Sequence, residues 1–363
     1  MFSQSPSLPV SQSVTIDDLS HLQSGPGFAT LAPSMVAKRS EEGELPAWFS
    51  DRRFKKADLH CHSVYSTFKY FRMANTRDSY NRPEEVYRVA KERGMDFVTL
   101  TDHDSIDGCL YLLNKHPDLN DFFISEEVET WFPQTRQRIH VNVFDITEAQ
   151  HAEIQRLRPN IYDLHAYLRQ ENILASANHM FQNYRMRNSP RQYLEEMLRM
   201  FDVFEVKNGA MASQHNRLVE DLMAVVREKH GAVSLVAGSD AHTLAPLALV
   251  YTVAEAETPR EFLAKVRSGE CFVWGSEMGF KVLLSDVYRM VFRYYGSVLD
   301  LRNPEFTRGE KARHLALAAF SAPVSAAGVP FAITSLNYLK QIFVSRRLGQ
   351  ELLDHLEDDT NPS

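Results

Sequence analysis

Residues 56–63 read KADLHCHS, in which His60 and His62 are two positions apart at the end of a short strand-like run. Side chains at positions i and i+2 of a strand project to the same face, so both imidazoles can reach one cation. The stretch therefore predicts a strand that ends in two metal ligands. By itself it also fits a strand with two half-buried histidines, and the rest of the chain has to distinguish these possibilities.

Short apolar runs alternate with helical patterns along the chain, about seven times, and polar residues gather where the runs end. The runs after the first are DFVTLTD (96–102), FFISEEV (122–128), IHVNVFD (139–145), ILASANH (173–179), VFEVKNG (203–209) and SLVAGSD (234–240). This alternation predicts a parallel α/β architecture, and a closed barrel brings the carboxyl ends of its strands to one face. An open doubly wound sheet would also gather ligands there, but no glycine-rich nucleotide motif follows any run.

Acids and histidines recur at the ends of these runs. TDHDSIDG (101–108) places His103 between Asp102 and Asp104, where helix capping is the alternative role. The adjacent Glu126 and Glu127 alternate faces of a strand, so only one can face a site and the other is expected to be paired or solvated.

Eight residues form the candidate metal set, although each alone is more typical of a hydrogen-bonded core residue. They are His60, His62, His103, Glu127, His140, His179, Asp240 and His242. Six imidazoles and two carboxylates suit Zn, Mn or Fe and exceed the needs of one ion. We therefore predict two or three divalent metal ions that share a bridging carboxylate, an arrangement that activates water and holds a phosphoryl group.

Composition places the chain among globular proteins and excludes several partners. The 363 residues are 44% hydrophobic and 24% charged, and the formal net charge is -7. This charge offers no footprint for a nucleic-acid backbone, although a small phosphorylated molecule can still bind a local cationic site. We therefore expect no nucleic-acid partner. Three cysteines form no disulfide framework and the N-terminus resembles no secretory signal, so we expect a cytoplasmic protein.

The ordered set HxH, TDHD, EE, H, H and GSDxH resembles the PHP (polymerase and histidinol phosphatase) family over roughly residues 55 to 275. The resemblance implies a distorted seven-stranded (β/α) barrel, similar to a TIM barrel, that binds up to three metals and hydrolyses phosphoesters. It also implies the distribution of ligands. The first metal would take His60, His62 and Asp240, the second His140 and His179, and the third His103 and His242, with Glu127 bridging the first and second.

One departure from the family concerns the third metal. The family usually places another His or Asp shortly after HxHS, whereas this chain has Thr67, Phe68 and Lys69 there. Either Asp102 or Asp104 substitutes, or the third site is weak or empty. Lys69 is either a direct phosphate ligand or a solvated charge.

Three regions follow from the composition and the resemblance. Residues 1–50 are predicted to be a flexible lead-in, residues 51–275 the barrel, and residues 276–363 a mainly helical extension. Residues 314–339 contain no Lys, Arg, Asp or Glu, but Ser, Pro and Gly interrupt them. This favours packed helices or a partner-facing hairpin, and a membrane contact remains the alternative.

We predict metal-dependent hydrolysis of a small phosphomonoester, such as a sugar, amino-alcohol or nucleotide phosphate, by attack of a metal-bound hydroxide. Asp102, His103 and His242 are the catalytic candidates. The candidate substrate contacts are Lys69, Lys207, Arg185 and Arg217. The alternatives are phosphodiester cleavage of a nucleotide-type substrate, amidohydrolase-like chemistry, and a non-catalytic metal-stabilised scaffold whose C-terminal tail binds a partner. The oligomeric state and the physiological substrate stay open.

Overall fold

The computed structural model describes residues 51–66, 77–231, 233–300 and 308–358. The predicted lead-in over residues 1–50 and the stretch from Thr67 to Lys69 lie outside these ranges. The described residues form a mixed α/β fold with two sheets and a helical C-terminal part.

The smaller sheet has three strands in the order β1-β7-β8, and both pairs are antiparallel. Its strands are β1 (Phe54–Ala57), β7 (Val250–Glu255) and β8 (Cys271–Gly275). The last residue of β1, Ala57, pairs with Thr252 of β7. His60 and His62 follow three and five residues later, so the sheet fixes the point from which their segment starts.

The larger sheet has five strands in sequence order. They are β2 (Ser125–Phe132), β3 (Gln137–Phe144), β4 (Leu174–Asn178), β5 (Val203–Asn208) and β6 (Ser234–Gly238). Only β4, β5 and β6 pair in parallel, because β2, β3 and β4 pair antiparallel. The expected all-parallel order fails at β2 and β3, since residues 133–136 form a tight turn and a parallel connection needs a dozen or more residues.

Single parallel bridges connect these sheets. Ala57 pairs with Phe97, Val98 with Phe122, His103 with Glu127, and Cys61 with Ala241. The predicted strand over residues 96–102 is thus reduced to isolated bridges, and no closed seven-stranded barrel is confirmed in the described residues. The bridges nevertheless bring the ends of distant runs side by side.

Seven helices accompany the described sheets. They are α1 (Pro83–Glu92), α2 (Asp107–Lys115), α3 (Glu148–Leu157), α4 (Ile161–Gln170), α5 (Pro190–Met200), α6 (Ser213–His230) and α7 (Pro259–Ser268). Proline opens α1 at its first turn, where a missing N–H costs nothing. Gly231 follows α6 with a φ of 86°, a left-handed conformation that glycine adopts without strain.

The described C-terminal part consists of the helices α8 (Phe280–Leu299), α9 (Arg308–Ala326) and α10 (Val329–Asp358). The second half of α10 packs on α6 through the buried Val344, Leu348, Leu352 and Leu356. Among the residues the structure describes, no single helix is long and apolar enough to cross a membrane, whereas α9 and α10 together pass that test across a 66° bend.

Candidate metal centre

All eight predicted ligands meet in one group of side chains, which we call the metal cluster. Its innermost members are His60, His62 and Glu127, whose side chains are at most 1% exposed. His103 and His242 are about one fifth exposed at 19% and 21%, and form the open side of the metal cluster. A ligand therefore approaches from the side of His103 and His242.

Glu127 presents its two carboxylate oxygens to different imidazoles. Its Oε1 lies 3.1 Å from His140 Nδ1 and 3.0 Å from His179 Nε2. Its Oε2 lies 3.2 Å from His60 Nε2 and 3.0 Å from His103 Nδ1. Burial alone would raise the pKa of Glu127, but the surrounding imidazoles hold it well below its usual range. This geometry is that of a carboxylate able to bridge two cations.

Asp240 is the second acid of the metal cluster. Its Oδ1 lies 3.2 Å from His62 Nε2 and 3.6 Å from both His60 Nε2 and His242 Nδ1. Burial opposes ionisation, yet His60 and its neighbours hold the pKa of Asp240 well below its usual range. Asp240 and His179 both have a positive φ, 51° and 24°, as residues held in strained conformations at functional sites do.

Hydrogen bonds behind the metal cluster orient its imidazoles. His60 Nδ1 lies 2.8 Å from Glu205 Oε1, and His242 Nδ1 lies 3.0 Å from the Asp240 carbonyl oxygen. A proton on each Nδ1 leaves Nε2 free for a cation. Sequence reasoning missed Glu205, although its position in VFEVKNG, inside a buried strand, was a signal that it faces a positive group.

Asp78 is a further acid at the metal cluster that sequence reasoning missed. Its Oδ2 lies 3.4 Å from His103 Nε2 and 3.8 Å from His242 Nε2, and the side chain is buried. It thus lies beside the two histidines that the resemblance assigns to the third metal. The only sequence signal was an acid in DSY (78–80), well beyond the stretch after HxHS where such a ligand was sought.

Neither Asp102 nor Asp104 takes the place of that ligand. Asp102 accepts hydrogen bonds from the backbone N and Oγ of Ser63, at 2.5 and 2.7 Å. Burial raises the pKa of Asp102 to about 7. Asp104 lies 3.2 Å from Arg158 and accepts a hydrogen bond from the backbone of Glu129. Asp102, a catalytic candidate, therefore faces Ser63 rather than the metal cluster.

The donor atoms of the metal cluster fit divalent cations. His60 Nε2, Glu127 Oε2, His140 Nε2 and both carboxylate oxygens of Asp78 are buried without a hydrogen-bond partner among the described residues. Donors around a cation with bonds of about 2.1 Å lie roughly 3.0 to 3.4 Å apart, close to the spacings around Glu127. Four overlapping groups of three donors satisfy the distances a metal requires.

Three of the four predicted substrate contacts, Lys207, Arg185 and Arg217, belong to the described residues. Lys207 is buried, with its Nζ 3.4 Å from the Gly275 carbonyl oxygen and 3.7 Å from Glu220. An irregularity in β5 between Glu205 and Lys207 breaks the alternation that would have pointed both side chains the same way. Arg185 and Arg217 are exposed and form no ion pair with the metal cluster among the described residues. Lys69 is outside the described residues.

The helical extension reaches the loop that carries Asp78. Arg293 of α8 donates a hydrogen bond to Asn81 Oδ1 at 2.9 Å, and the Asn81 amide lies 3.5 Å from the His62 carbonyl oxygen. Asp286, also on α8, is buried and accepts a hydrogen bond from Thr243, next to His242. The extension therefore supports the open side of the metal cluster from outside.

A family model described as PHP-associated matches residues 232–271. This segment carries β6, β7 and α7 together with Asp240 and His242 of the metal cluster. Over this segment the chain is similar to the PHP family. The matched segment contains GSDAH (238–242), the last of the ordered motifs that begin with KADLHCHS.

Individual relatives are more distant. The chain is 42% identical over 53 residues, 15% of its length, to an uncharacterized protein of Methanocaldococcus jannaschii, of which it spans 31%. It is similar to PsfC from Pseudomonas syringae at 17% identity and a TM-score of 0.46, over 66% of this chain and 99% of that one.

Two other solved structures show similar overall likeness. One is a candidate metal-dependent phosphoesterase from Bifidobacterium adolescentis, at 14% identity and a TM-score of 0.39, over 51% of this chain and 87% of that one. The other is an amidohydrolase from Chromobacterium violaceum with bound sulfate and no metal, at 16% identity and a TM-score of 0.38, over 52% of this chain and 87% of that one. At these values, neither bears on the substrate of this chain.

Proposed function

We propose that this chain carries a PHP-family domain and is a metal-dependent phosphoesterase that hydrolyses a small phosphomonoester. The observation that carries the proposal is the placement of buried Glu127, whose two oxygens contact separate pairs of imidazoles. A carboxylate so placed would help to hold two divalent cations, and such a pair would supply the positive charge that clamps a phosphoryl group.

The ligands are distributed around Glu127 and Asp240 in this proposal. His140 and His179 share the Oε1 side of Glu127, while His60 and His62 lie between Glu127 and Asp240. A third group consists of His103, His242 and Asp78. Divalent cations held by these residues would lower the pKa of water and offset the charge of the phosphate oxygens.

The protein's own residues bind the substrate and keep the ligands in place. His103 and His242, as the most exposed imidazoles of the metal cluster, lie on the side from which the phosphate group would enter. Glu205 holds the Nδ1 proton of His60, and the Asp240 carbonyl oxygen holds that of His242. Asp102 acts as a positioning residue, because it anchors the backbone of Ser63 directly after His62. These contacts fix the imidazoles before the substrate arrives.

The proposal includes a distorted barrel that spans residues 51–275. In this barrel the four isolated parallel bridges mark the places where neighbouring segments pair. Two of these bridges lie at the predicted ligands themselves, since His103 pairs directly with Glu127, and Cys61, between His60 and His62, pairs with Ala241. A small substrate fits this arrangement better than a polymer, because the chain is acidic overall, with a net charge of -7.

Release of inorganic phosphate tests the proposal. A panel of sugar, amino-alcohol and nucleotide monophosphates is incubated with the full chain and added Mn or Zn. We expect turnover by the wild type and loss of turnover in His179→Ala, which removes a neighbour of Glu127 Oε1. His116→Ala, an exposed histidine after α2, is the matched control and keeps full activity.

The same panel separates the alternatives. Turnover of bis(p-nitrophenyl) phosphate without monoester turnover would favour a phosphodiesterase, and turnover of amide substrates alone would favour amidohydrolase chemistry. A wild type that retains metal but hydrolyses none of these compounds contradicts the phosphoesterase proposal and supports the scaffold.

A further inference from the structure

The α9 and α10 helices expose an unusual amount of apolar surface. Eight large apolar side chains there are exposed: Phe320, Val324, Val329, Phe331, Ile333, Leu336, Leu339 and Phe343. Leu336 is 67% exposed and Phe320 is 79% exposed. Contiguous apolar surface on this scale marks a binding surface. We call residues 308–347, which include the 66° bend between these helices, the elbow.

The exposed side chains of the elbow form stripes. At 100° per residue, Val329, Ile333, Leu336, Leu339 and Phe343 fall within one arc of about 120° on α10. This is the width of the apolar face of an amphipathic helix. The second half of α10 turns its apolar residues, such as Leu348, inward onto α6, so the two halves of one helix contact different surroundings.

Cations flank these stripes. Between residues 308 and 347 the elbow has six Lys or Arg and one Glu, in a chain whose net charge is -7. Lys340 and Arg347 lie on the same helical arc as Leu336. On α9, Arg313 shares an arc with Phe320 and Val324. The elbow is thus a cationic, apolar surface on an acidic protein.

The positions of the cations relative to the bend indicate what the elbow contacts. Arg313 and Lys340 lie roughly 17 to 20 Å from the bend along their helices, at 1.5 Å per residue. The residues between them carry no charge. An apolar apex with cations at a similar distance along both arms matches an interface that is apolar at depth and anionic at its surface.

We propose that the elbow docks on the surface of an anionic lipid bilayer, with its apolar apex among the acyl chains and its cations among the headgroups. The bend directs both arms away from the apex, so the elbow enters one leaflet and does not cross it. A second copy of the chain fits less well, because contact between two identical elbows across a two-fold axis brings their cations together.

Flotation of the full chain with vesicles tests this proposal. The vesicles are pure phosphatidylcholine, or phosphatidylcholine with one third replaced by phosphatidylglycerol. We expect binding to the anionic vesicles that weakens with added sodium chloride, and much weaker binding to the neutral ones. Equal binding to both kinds, or no binding to either, overturns the proposal.

Two kinds of variant separate the apolar and electrostatic contributions. Leu336→Asp is expected to weaken binding about tenfold or more, because an anchoring side chain is lost and a negative charge is added. Leu249→Asp, at an exposed leucine outside the elbow, is the matched control and binds as the wild type does. The double variant Lys340→Gln, Arg347→Gln is expected to lose the preference for anionic vesicles.

Size-exclusion chromatography with light scattering identifies the other occupants. A wild-type dimer that Leu336→Asp converts to a monomer, without flotation, assigns the elbow to a second copy and overturns the lipid proposal. Flotation that appears only after removal of residues 1–50 indicates that this segment covers the elbow, which also contradicts the proposal. Phosphate release from a soluble substrate is measured on the same variants and is expected to be unchanged, so failure here is distinguishable from failure of the phosphoesterase proposal.

Discussion

Globular proteins usually bury apolar side chains and expose charged ones, and the metal cluster and the elbow each depart from this distribution. The metal cluster buries acids and imidazoles, with Glu127 fully buried, whereas the elbow exposes leucine and phenylalanine side chains. Burying an acid and exposing an apolar patch are both unfavourable unless a partner compensates. The difference indicates that cations would compensate the burial of the acids and an apolar partner the exposure of the elbow, and each proposal can be tested without the other.

The largest expected effect comes from removing the bridging acid. Glu127→Gln keeps the shape but loses the charge, so its surrounding imidazoles no longer share a negative neighbour. We expect activity to fall by roughly a thousandfold or more, because several kcal/mol of transition-state stabilisation come with the metals. Metal content by mass spectrometry and the rate of phosphate release measure this.

The neighbouring residue provides the control for Glu127. Glu126 faces the other side of β2, where His151 and Gln155 contact it at 2.9 and 2.7 Å. Glu126→Gln should keep the wild-type metal content. If both variants lose metal equally, the special role of Glu127 is wrong and general destabilisation explains the loss.

A smaller effect is expected at Asp78. Asp78→Asn removes the charge that faces His103 and His242 but leaves the other acids intact. We expect one metal fewer per chain and a loss of activity of about tenfold or more, since the weakened site no longer offsets phosphate charge. Asp104→Asn is compared with it, and retention of every metal in Asp78→Asn would contradict the assignment of this acid as a ligand.

The hydrogen bond behind His60 should affect affinity more than chemistry. Glu205→Gln weakens the acceptor that orients His60. Loss of a hydrogen bond behind a metal-binding histidine typically lowers the metal affinity by about 10 to 100-fold. Metal titration by calorimetry measures the loss, and saturating metal should restore most of the activity. Glu153→Gln, which affects only an exposed pair with Arg156, serves as the reference. An unchanged affinity in Glu205→Gln would show that His60 is oriented by other groups.

The smallest expected effect is on the stability of the elbow. Leu336→Asp should change the free energy of unfolding by no more than about 0.5 kcal/mol, because its side chain is exposed in solution. Leu348→Ala, on the buried half of the same helix, should cost about 2 to 5 kcal/mol. Thermal and urea denaturation compare the two, and similar losses would mean that the elbow is packed against the protein after all.

The residues of the metal cluster could be named from the sequence because most of them belong to a short local pattern at the end of an apolar run, His140 being the exception at the start of one. KADLHCHS and GSDAH contain their own spacing, and strand periodicity alone selects the inward face. Asp78 was not predictable in this way, because its position depends on how the chain returns to His103 after the stretch that follows HxHS. Its contact with the histidines is a tertiary property.

The direction of β2 and β3 and the orientation of Lys207 also depend on tertiary pairing that the local sequence does not reveal. An apolar run gives no direction, so the hairpin of β2 and β3 was taken for two members of a parallel series. Regular strand alternation would place Lys207 on the face of Glu205, but the irregularity between them breaks the alternation. Such an irregularity arises from pairing with the neighbouring strand and leaves no mark in the sequence of β5 itself.

The ligands of the metal cluster are far apart along the chain, and this has a consequence for folding. His62 and Asp240 are in contact although 178 residues separate them. A cation held between them would join the two ends of a long loop, and because it would bind the folded chain and not the unfolded one, it would stabilise the fold. Because Asp240 and His242 are synthesised after the other ligands, a chain with its full set of ions has folded at least as far as His242. Metal content would therefore report that the chain has folded as far as His242, before α8, α9 and α10 are added.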